Sequence, residues 1–293
     1  MIRPTASEVP RGDAQGERWK RRGLYFFFMF LLLGFAPSGV LPTWGIEKPT
    51  TMFFYNPDAN LKDISLLKAR VSNYLKKMNA DVDFQPFVKF EVMEQQIEAK
   101  RPSFLVISSW YYPVLAQKYP LRLLLIPQKN GQRSYKKVLV TLEDIQELKD
   151  LSGKTLATTP LGENTSELLT ANFFRNALVD MERIKVITVP KDLDALLAVS
   201  YKRVSSAIVV PENINVLKAV NPAVEKIKII YTSPEILHPP LVALKDYATA
   251  EEIEKVKSIF LAMSENPEGK DVLNLLNYDR WTLPDKEVLE QLN

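Results

Sequence analysis

The sequence predicts an α/β protein of two similar lobes, built on two mixed, mostly parallel sheets flanked by helices and joined by two crossover strands. Three observations carry that expectation. Short apolar runs of strand length alternate with amphipathic runs of helix length after residue 46. The alternation occurs twice, and the second series opens near Leu151. The chain, at 293 residues, is long enough for two ordinary domains.

In the first series, Met52 to Tyr55 reads as a strand. Asn60 reads as a helix cap with Asp63 at its third position, and Leu61, Ile64, Leu67, Val71, Tyr74 and Met78 follow at helical spacing. Val82 to Phe87 is a strand, Phe90 to Ala99 a helix, and Phe104 to Ser108 a buried strand. Leu121 to Ile126 and Val138 to Thr141 are further strands. In the second series, Thr155 to Thr158 is a strand, and Asn164 with Glu167 is a capping pair for a helix running through Leu178. Ile184 to Val189, Ala207 to Val210, Ile227 to Tyr231 and Leu241 to Leu244 are strands, with a helix over Asp192 to Tyr201. Thr249 with Glu252 caps a last strong helix, which has Ile253, Val256, Phe260 and Met263 on one face.

The amino terminus speaks to compartment. Arg18 to Arg22 is basic, Leu24 to Ala36 is an uncharged apolar run, and Ala36 and Ser38 are small. That is the layout of a secretory signal over residues 1–38, which predicts a periplasmic protein. The run is short for a membrane span. An uncleaved anchor over residues 24–41 stays open as the alternative. The first 22 residues hold six basic and three acidic side chains, so the whole formal charge of +3 sits there, and the remainder balances at 32 of each sign. A nucleic-acid-binding domain needs a clustered positive face, so no nucleic-acid partner is expected. The absence of cysteine excludes disulfides and thiolate chemistry.

Several stretches, in order, resemble the phosphate/phosphite/phosphonate-binding branch of the type 2 periplasmic solute-binding proteins of ABC transporters. Asn56-Pro57-Asp58 resembles the loop after that family's first strand, and Asp83 to Phe90 its second strand and turn. Asp150-Leu151-Ser152-Gly153-Lys154-Thr155 resembles the entry to its second lobe. Ile230 to Pro234 with Pro239 to Val242 resembles its returning crossover, and Met263 to Leu276 its closing helix. The resemblance implies crossovers near residues 133–139 and 235–240. It implies a first lobe of 47–136 plus 239–293 and a second of 137–238, with a ligand between them.

It also implies a site. The family's anion-holding segment corresponds to Thr158, Thr159, Asn164, Thr165 and Ser166, a helix start with free N–H groups and hydroxyls. Capping alone also explains these residue types. Glu163 and Glu167 stand beside them and repel an anion. Lys191 opens the next helix, as an anion contact or a solvated lysine. Ser205 stands where the family has an acid that recognises an amine, which argues against an aminoalkylphosphonate. In the first lobe, Tyr55 and Asn56 follow one strand and Trp110 and Tyr111 another. Loops at the carboxyl ends of parallel strands are where α/β sheets hold ligands.

The lone His238 makes a zinc site or a serine–histidine–acid triad improbable, and there is no G-x-S-x-G, P-loop or G-x-G-x-x-G. No catalytic residue, metal or cofactor is expected. The expected function is an exported, monomeric solute-binding protein. It closes on a small polar or anionic ligand and presents it to a membrane permease. A sensing or assembly subunit docking on a membrane receptor or kinase is the alternative, and an exported enzyme on the same fold a further one.

Overall fold

Residues 49–57, 63–142, 145–175 and 177–292 are described by the computed structural model. The expected signal segment and the Asn60 cap lie outside them. Among the described residues no helix is long and apolar enough to cross a membrane.

The first part of the chain forms β1 (Thr50–Tyr55), α1 (Ile64–Lys77), β2 (Val82–Pro86), α2 (Phe90–Lys100), β3 (Phe104–Ile107), α3 (Tyr112–Ala116) and β4 (Leu121–Gln128). A short β5 (Ser134–Tyr135) leads to β6 (Val138–Thr141) and β7 (Thr155–Thr158). Then come α4 (Thr165–Leu168), β8 (Lys185–Thr188), α5 (Asp192–Ser200), β9 (Ser206–Val209), α6 (Pro211–Lys218) and β10 (Lys228–Thr232). The chain ends with β11 (Ile236–Leu237), β12 (Leu241–Leu244), α7 (Ala250–Leu261), α8 (Pro267–Leu276), β13 (Arg280–Thr282) and α9 (Lys286–Leu292).

Two sheets result, in the orders β13-β4-β12-β3-β1-β2 and β10-β6-β9-β7-β8. In the first, β2, β1 and β3 are parallel, and β12 runs antiparallel between β3 and β4. In the second, β8, β7 and β9 are parallel, and β6 runs antiparallel between β9 and β10. β5 and β11 pair with each other where the chain passes between the sheets in each direction. This is a two-lobed α/β architecture with two crossovers.

The period-two alternation of each strand divides the core cleanly. Met52 and Phe54 of β1 and Phe104 and Val106 of β3 point to one side, against α1, α7 and α8. Phe53, Tyr55, Leu105 and Ile107 point to the other. In the second sheet, Val138, Val140, Ala157 and Val209 pack under α5 and α6. Leu139, Leu156 and Ile208 face the opposite way and join the same cluster as Phe53 and Tyr55. One apolar cluster is therefore shared by both sheets.

The helix ends follow local chemistry. Asp63 caps α1, accepting from the N–H groups of Ser65 (2.8 Å) and Leu66 (3.0 Å). Thr249 and Glu252 form a reciprocal capping box at the start of α7 (3.2 and 2.7 Å). Glu252 also accepts from Thr50 of β1 at 2.5 Å, which ties the cap to the sheet. One expected helix fails. Asn164 makes no side-chain cap bond, α4 lasts four residues, and the next turn, Leu169–Phe173, is a π-turn. Phe173 and Phe174 are both buried there. The wider turn lets adjacent aromatic rings reach Tyr231 at 5.3 and 5.7 Å, and that packing overrides the capping pattern.

Thr249→Ala is expected to cost about 1 kcal/mol. For a chain of this size that lowers the melting temperature by about 2–4 °C, read by circular dichroism.

Candidate functional site

The loops after β1, β7, β8 and β9 open at the carboxyl ends of parallel strands. Together with both crossovers and the end of α8 they enclose a cavity of about 1020 Å³. Asn56 and Pro57 follow β1, Thr159 and Pro160 follow β7, Pro190 to Leu193 follow β8, and Val210 to Asn213 follow β9. The crossovers add Ser134 to Lys137 from one side and Glu235, His238 and Pro239 from the other.

Lys137 is the deepest charge in this lining. It is 3% exposed, and its ammonium donates to the Thr159 hydroxyl at 3.1 Å. Its backbone is clamped: its N–H donates to the Ser233 hydroxyl (3.0 Å) and its carbonyl accepts from the Ser233 N–H (2.9 Å). The hinge strand therefore fixes where the ammonium stands. Taking a lysine out of water is costly unless partners compensate. Retaining one in a cavity wall makes that wall attractive to an anion.

Two of the three acids of the lining are committed, and the third, Glu212, is exposed in the first turn of α6. Asp192 accepts from the Val210 N–H (2.6 Å) and from Asn213 (3.2 Å), so it joins α5 to the β9 loop. Glu235 accepts from Ser134 (2.6 Å) and pairs with Lys136 (3.1 Å). The Ser134 hydroxyl, with Lys136 beside it, holds the Glu235 carboxyl below its ordinary range. Lys191 is exposed at the mouth, at the start of α5. Aromatic rings complete the wall. Tyr135 and His238 stack at 5.2 Å with 18° between planes, and Tyr278 lies 5.6 Å from His238. Among the described residues, no group of His, Cys, Asp and Glu is arranged to hold a metal ion.

Of the sequence-predicted residues, Asn56, Thr159 and Lys191 line this cavity. The structure places the others elsewhere. Tyr55 and Tyr111 are each 1% exposed, inside an aromatic wall with Phe90. The Tyr111 ring stacks on Phe90 at 4.0 Å and meets Tyr55 edge-on at 5.4 Å. Trp110 is also 1% exposed, and its indole N–H donates to the Tyr135 hydroxyl at 3.4 Å. Thr158 is fully buried, and its hydroxyl has no hydrogen-bond partner. Thr165 spends its hydroxyl on the Gly162 carbonyl at 2.7 Å, and Ser166 is exposed on α4. Asn164 makes no side-chain cap bond, and its backbone lies near the Tyr111 hydroxyl. Ser205 stands at the opposite end of the second sheet, where its N–H donates to the Thr155 hydroxyl at 2.9 Å.

One contact explains this redistribution. The segment Leu161-Gly162-Glu163 from the second sheet's side seats itself against the first sheet's aromatic wall. Leu161 is fully buried in the cluster that holds Tyr55, Phe90 and Tyr111. Gly162 has φ +116°, and a Cβ there would stand 2.0 Å from the Tyr111 hydroxyl oxygen and 2.8 Å from that of Tyr55. Only glycine fits such an approach. Glu163 reaches Lys89 of the first lobe at 2.9 Å, a bond that holds its carboxyl below the ordinary range and raises Lys89. Burial pushes the Tyr111 phenol up to about 12. The helix start that the resemblance assigns to an anion is filled by the protein's own tyrosines.

Sequence reasoning passed over Lys137, Tyr135 and Tyr278, and considered His238 only as a metal ligand or triad base. The signal for Lys137 was its place on a crossover immediately before the apolar run at Val138.

The family model for the periplasmic substrate-binding protein of ABC phosphonate transporters matches residues 53–289. No curated protein matches the chain. Among solved structures, a protein from Xanthomonas citri bound to ATP is similar at 12% identity with a TM-score of 0.61, over 84% of this chain and 94% of that one. A binding protein component of an ABC phosphonate transporter from Pseudomonas aeruginosa is similar at 18% identity and TM-score 0.57, over 84% and 86%. A Prochlorococcus marinus protein in complex with methylphosphonate is similar at 14% identity and TM-score 0.55, over 84% and 97%. At these identities the structures show a shared fold.

Gly162→Ala is expected to separate the two aromatic surfaces, because the methyl overlaps Tyr111 and φ is strained. A red shift of the Trp110 emission and a larger radius of gyration by small-angle scattering would report it; an unchanged radius would sink the idea that this segment holds the lobes together. The Lys89–Glu163 bond adds an acid dependence. Glu163 is depressed, so its contribution is complete above the ordinary carboxylate pKa and is lost as pH falls through the lowered value. Glu163→Gln is expected to remove that part of the acid-side loss of stability, measured by thermal melts across pH.

Proposed function

The chain belongs to the family of periplasmic substrate-binding proteins of ABC phosphonate transporters, and from that premise we propose that it binds a small anionic solute, held by Lys137 and Thr159 in the cavity between its lobes. It is an ABC-transporter solute-binding protein of a family that is not an enzyme family. The periplasm is the compartment the family implies.

The observation that carries the ligand reading is the buried Lys137, fixed by Ser233 and bonded to Thr159 in the cavity wall. Asn56 supplies an amide from the other side, and Lys191 adds charge at the mouth. The lining carboxylates Asp192 and Glu235 already have donors, so they oppose an anion less than free charges would, and Glu212 is exposed to solvent at the start of α6. The protein named with methylphosphonate and the phosphonate-transporter component support a phosphonate- or phosphate-like head group. In this reading, residues 47–136 with 239–293 form one lobe and 137–238 the other. A ligand contacting both favours their closure by its differential contacts. The protein acts as a monomer, exported by its first 38 residues, and delivers its ligand to the membrane permease.

Thermal shift of the full chain against phosphate, phosphite, methylphosphonate and small sulfonates tests this. A ligand at 100 times its dissociation constant adds about 2.7 kcal/mol. Lys137→Met is expected to abolish the shift while keeping the fold, since the methionine fills a similar volume without the charge. A full shift in Lys137→Met, or none in the parent with any anion, overturns the assignment.

A further inference from the structure

The cavity is far larger than a simple oxyanion. At about 30 Å³ per water-sized group, a five-atom ion such as phosphate fills roughly 150 Å³ of the approximately 1020 Å³ enclosed. Pockets for drug-sized ligands span about 300–1,000 Å³. The space admits an anion with a body attached.

The wall says what kind of body. Tyr135, His238 and Tyr278 come from three separate segments: the outgoing crossover, the returning crossover and the turn after α8. They converge on one stretch of lining, with Tyr135 and His238 stacked and Tyr278 tilted against His238. The indole N–H of the buried Trp110 holds the Tyr135 hydroxyl from behind, so this ring is set in place before any ligand arrives. Prolines 57, 160 and 239 add rigid apolar surface to the same cavity.

Spacing links the two halves of the site. Tyr135 and Lys137 are two residues apart on the crossover between β5 and β6. Extended chain advances about 3.3 Å per residue and returns to the same face at the second. The ring and the ammonium therefore start from backbone positions at most about 7 Å apart, so one ligand can reach both. Rings pair favourably by stacking and by edge contacts.

We propose that the cavity takes an anion bearing a planar ring, with the anionic head on Lys137 and Thr159 and the ring against Tyr135 and His238. The inference rests on the anion-binding reading and adds a ring requirement to it.

Isothermal titration of the full chain with phenylphosphonate, methylphosphonate and inorganic phosphate tests it. Phenylphosphonate is expected to bind at least tenfold more tightly than methylphosphonate, equivalent to about 1.4 kcal/mol. Tyr135→Leu and His238→Leu are each expected to bring the ratio of the two affinities towards one; two variants guard against a fold defect in either. If methylphosphonate binds as tightly as phenylphosphonate, or both variants keep the preference, the ring is wrong and the anion site stands. If none of the three probes binds, both readings fall.

Discussion

A backbone with no side chain at position 162 is what lets the two halves of this protein meet. Leu161 enters the first lobe's aromatic wall, and Gly162 passes within reach of two tyrosine hydroxyls. Burying a leucine side chain is worth about 1.5–3 kcal/mol, and aromatic pairs such as Tyr111 with Phe90 add about 0.5–1.5 kcal/mol each. The exposed Lys89–Glu163 pair contributes direction more than energy. Most of the hold is therefore apolar, and it is made by protein on protein. The cavity that remains lies on the other side of that contact, bounded by the crossovers.

The crossovers carry more than connectivity. β5 and β11 pair with each other, and Ser233 binds both polar backbone groups of Lys137. The same few residues give the cavity its buried cation, its stacked rings and its neutralised carboxylate at Glu235. A site built there is rigid, because each contributor sits beside a paired strand. Loops from both sheets meet the same cavity, so motion of one lobe against the other alters its far walls more than its crossover wall.

Much of the fold was legible because strands that share two cores read as uninterrupted apolar runs, as in Phe104 to Ile107. Helix signals worked where the cap was local, as at Thr249 and Glu252. They failed at Asn164, where two adjacent phenylalanines had to reach Tyr231 and the helix widened to allow it. The site was legible in part. Loop position after a parallel strand pointed to Asn56, Thr159 and Lys191, which line the cavity. It misplaced Tyr55, Trp110 and Tyr111, because neighbouring aromatics in sequence can all be buried when two lobes close over them. Ser205 was misplaced by analogy: in this chain it directly precedes β9, whose far end meets the cavity. The local pattern around Lys137 gives only its place before the apolar run at Val138. Its burial depends on Ser233, almost a hundred residues later in the chain.

The seating of Leu161 and Gly162 bears on timing as well as on shape. A binding protein that is open until its ligand arrives loses affinity in proportion to how rarely it closes unaided. Here the closing contact is already made, so that loss is small. The corresponding cost moves to wider opening: parting the two lobes means withdrawing Leu161 from the cluster that buries it. A partner that spreads the lobes has one buried leucine to displace, at about 1.5–3 kcal/mol.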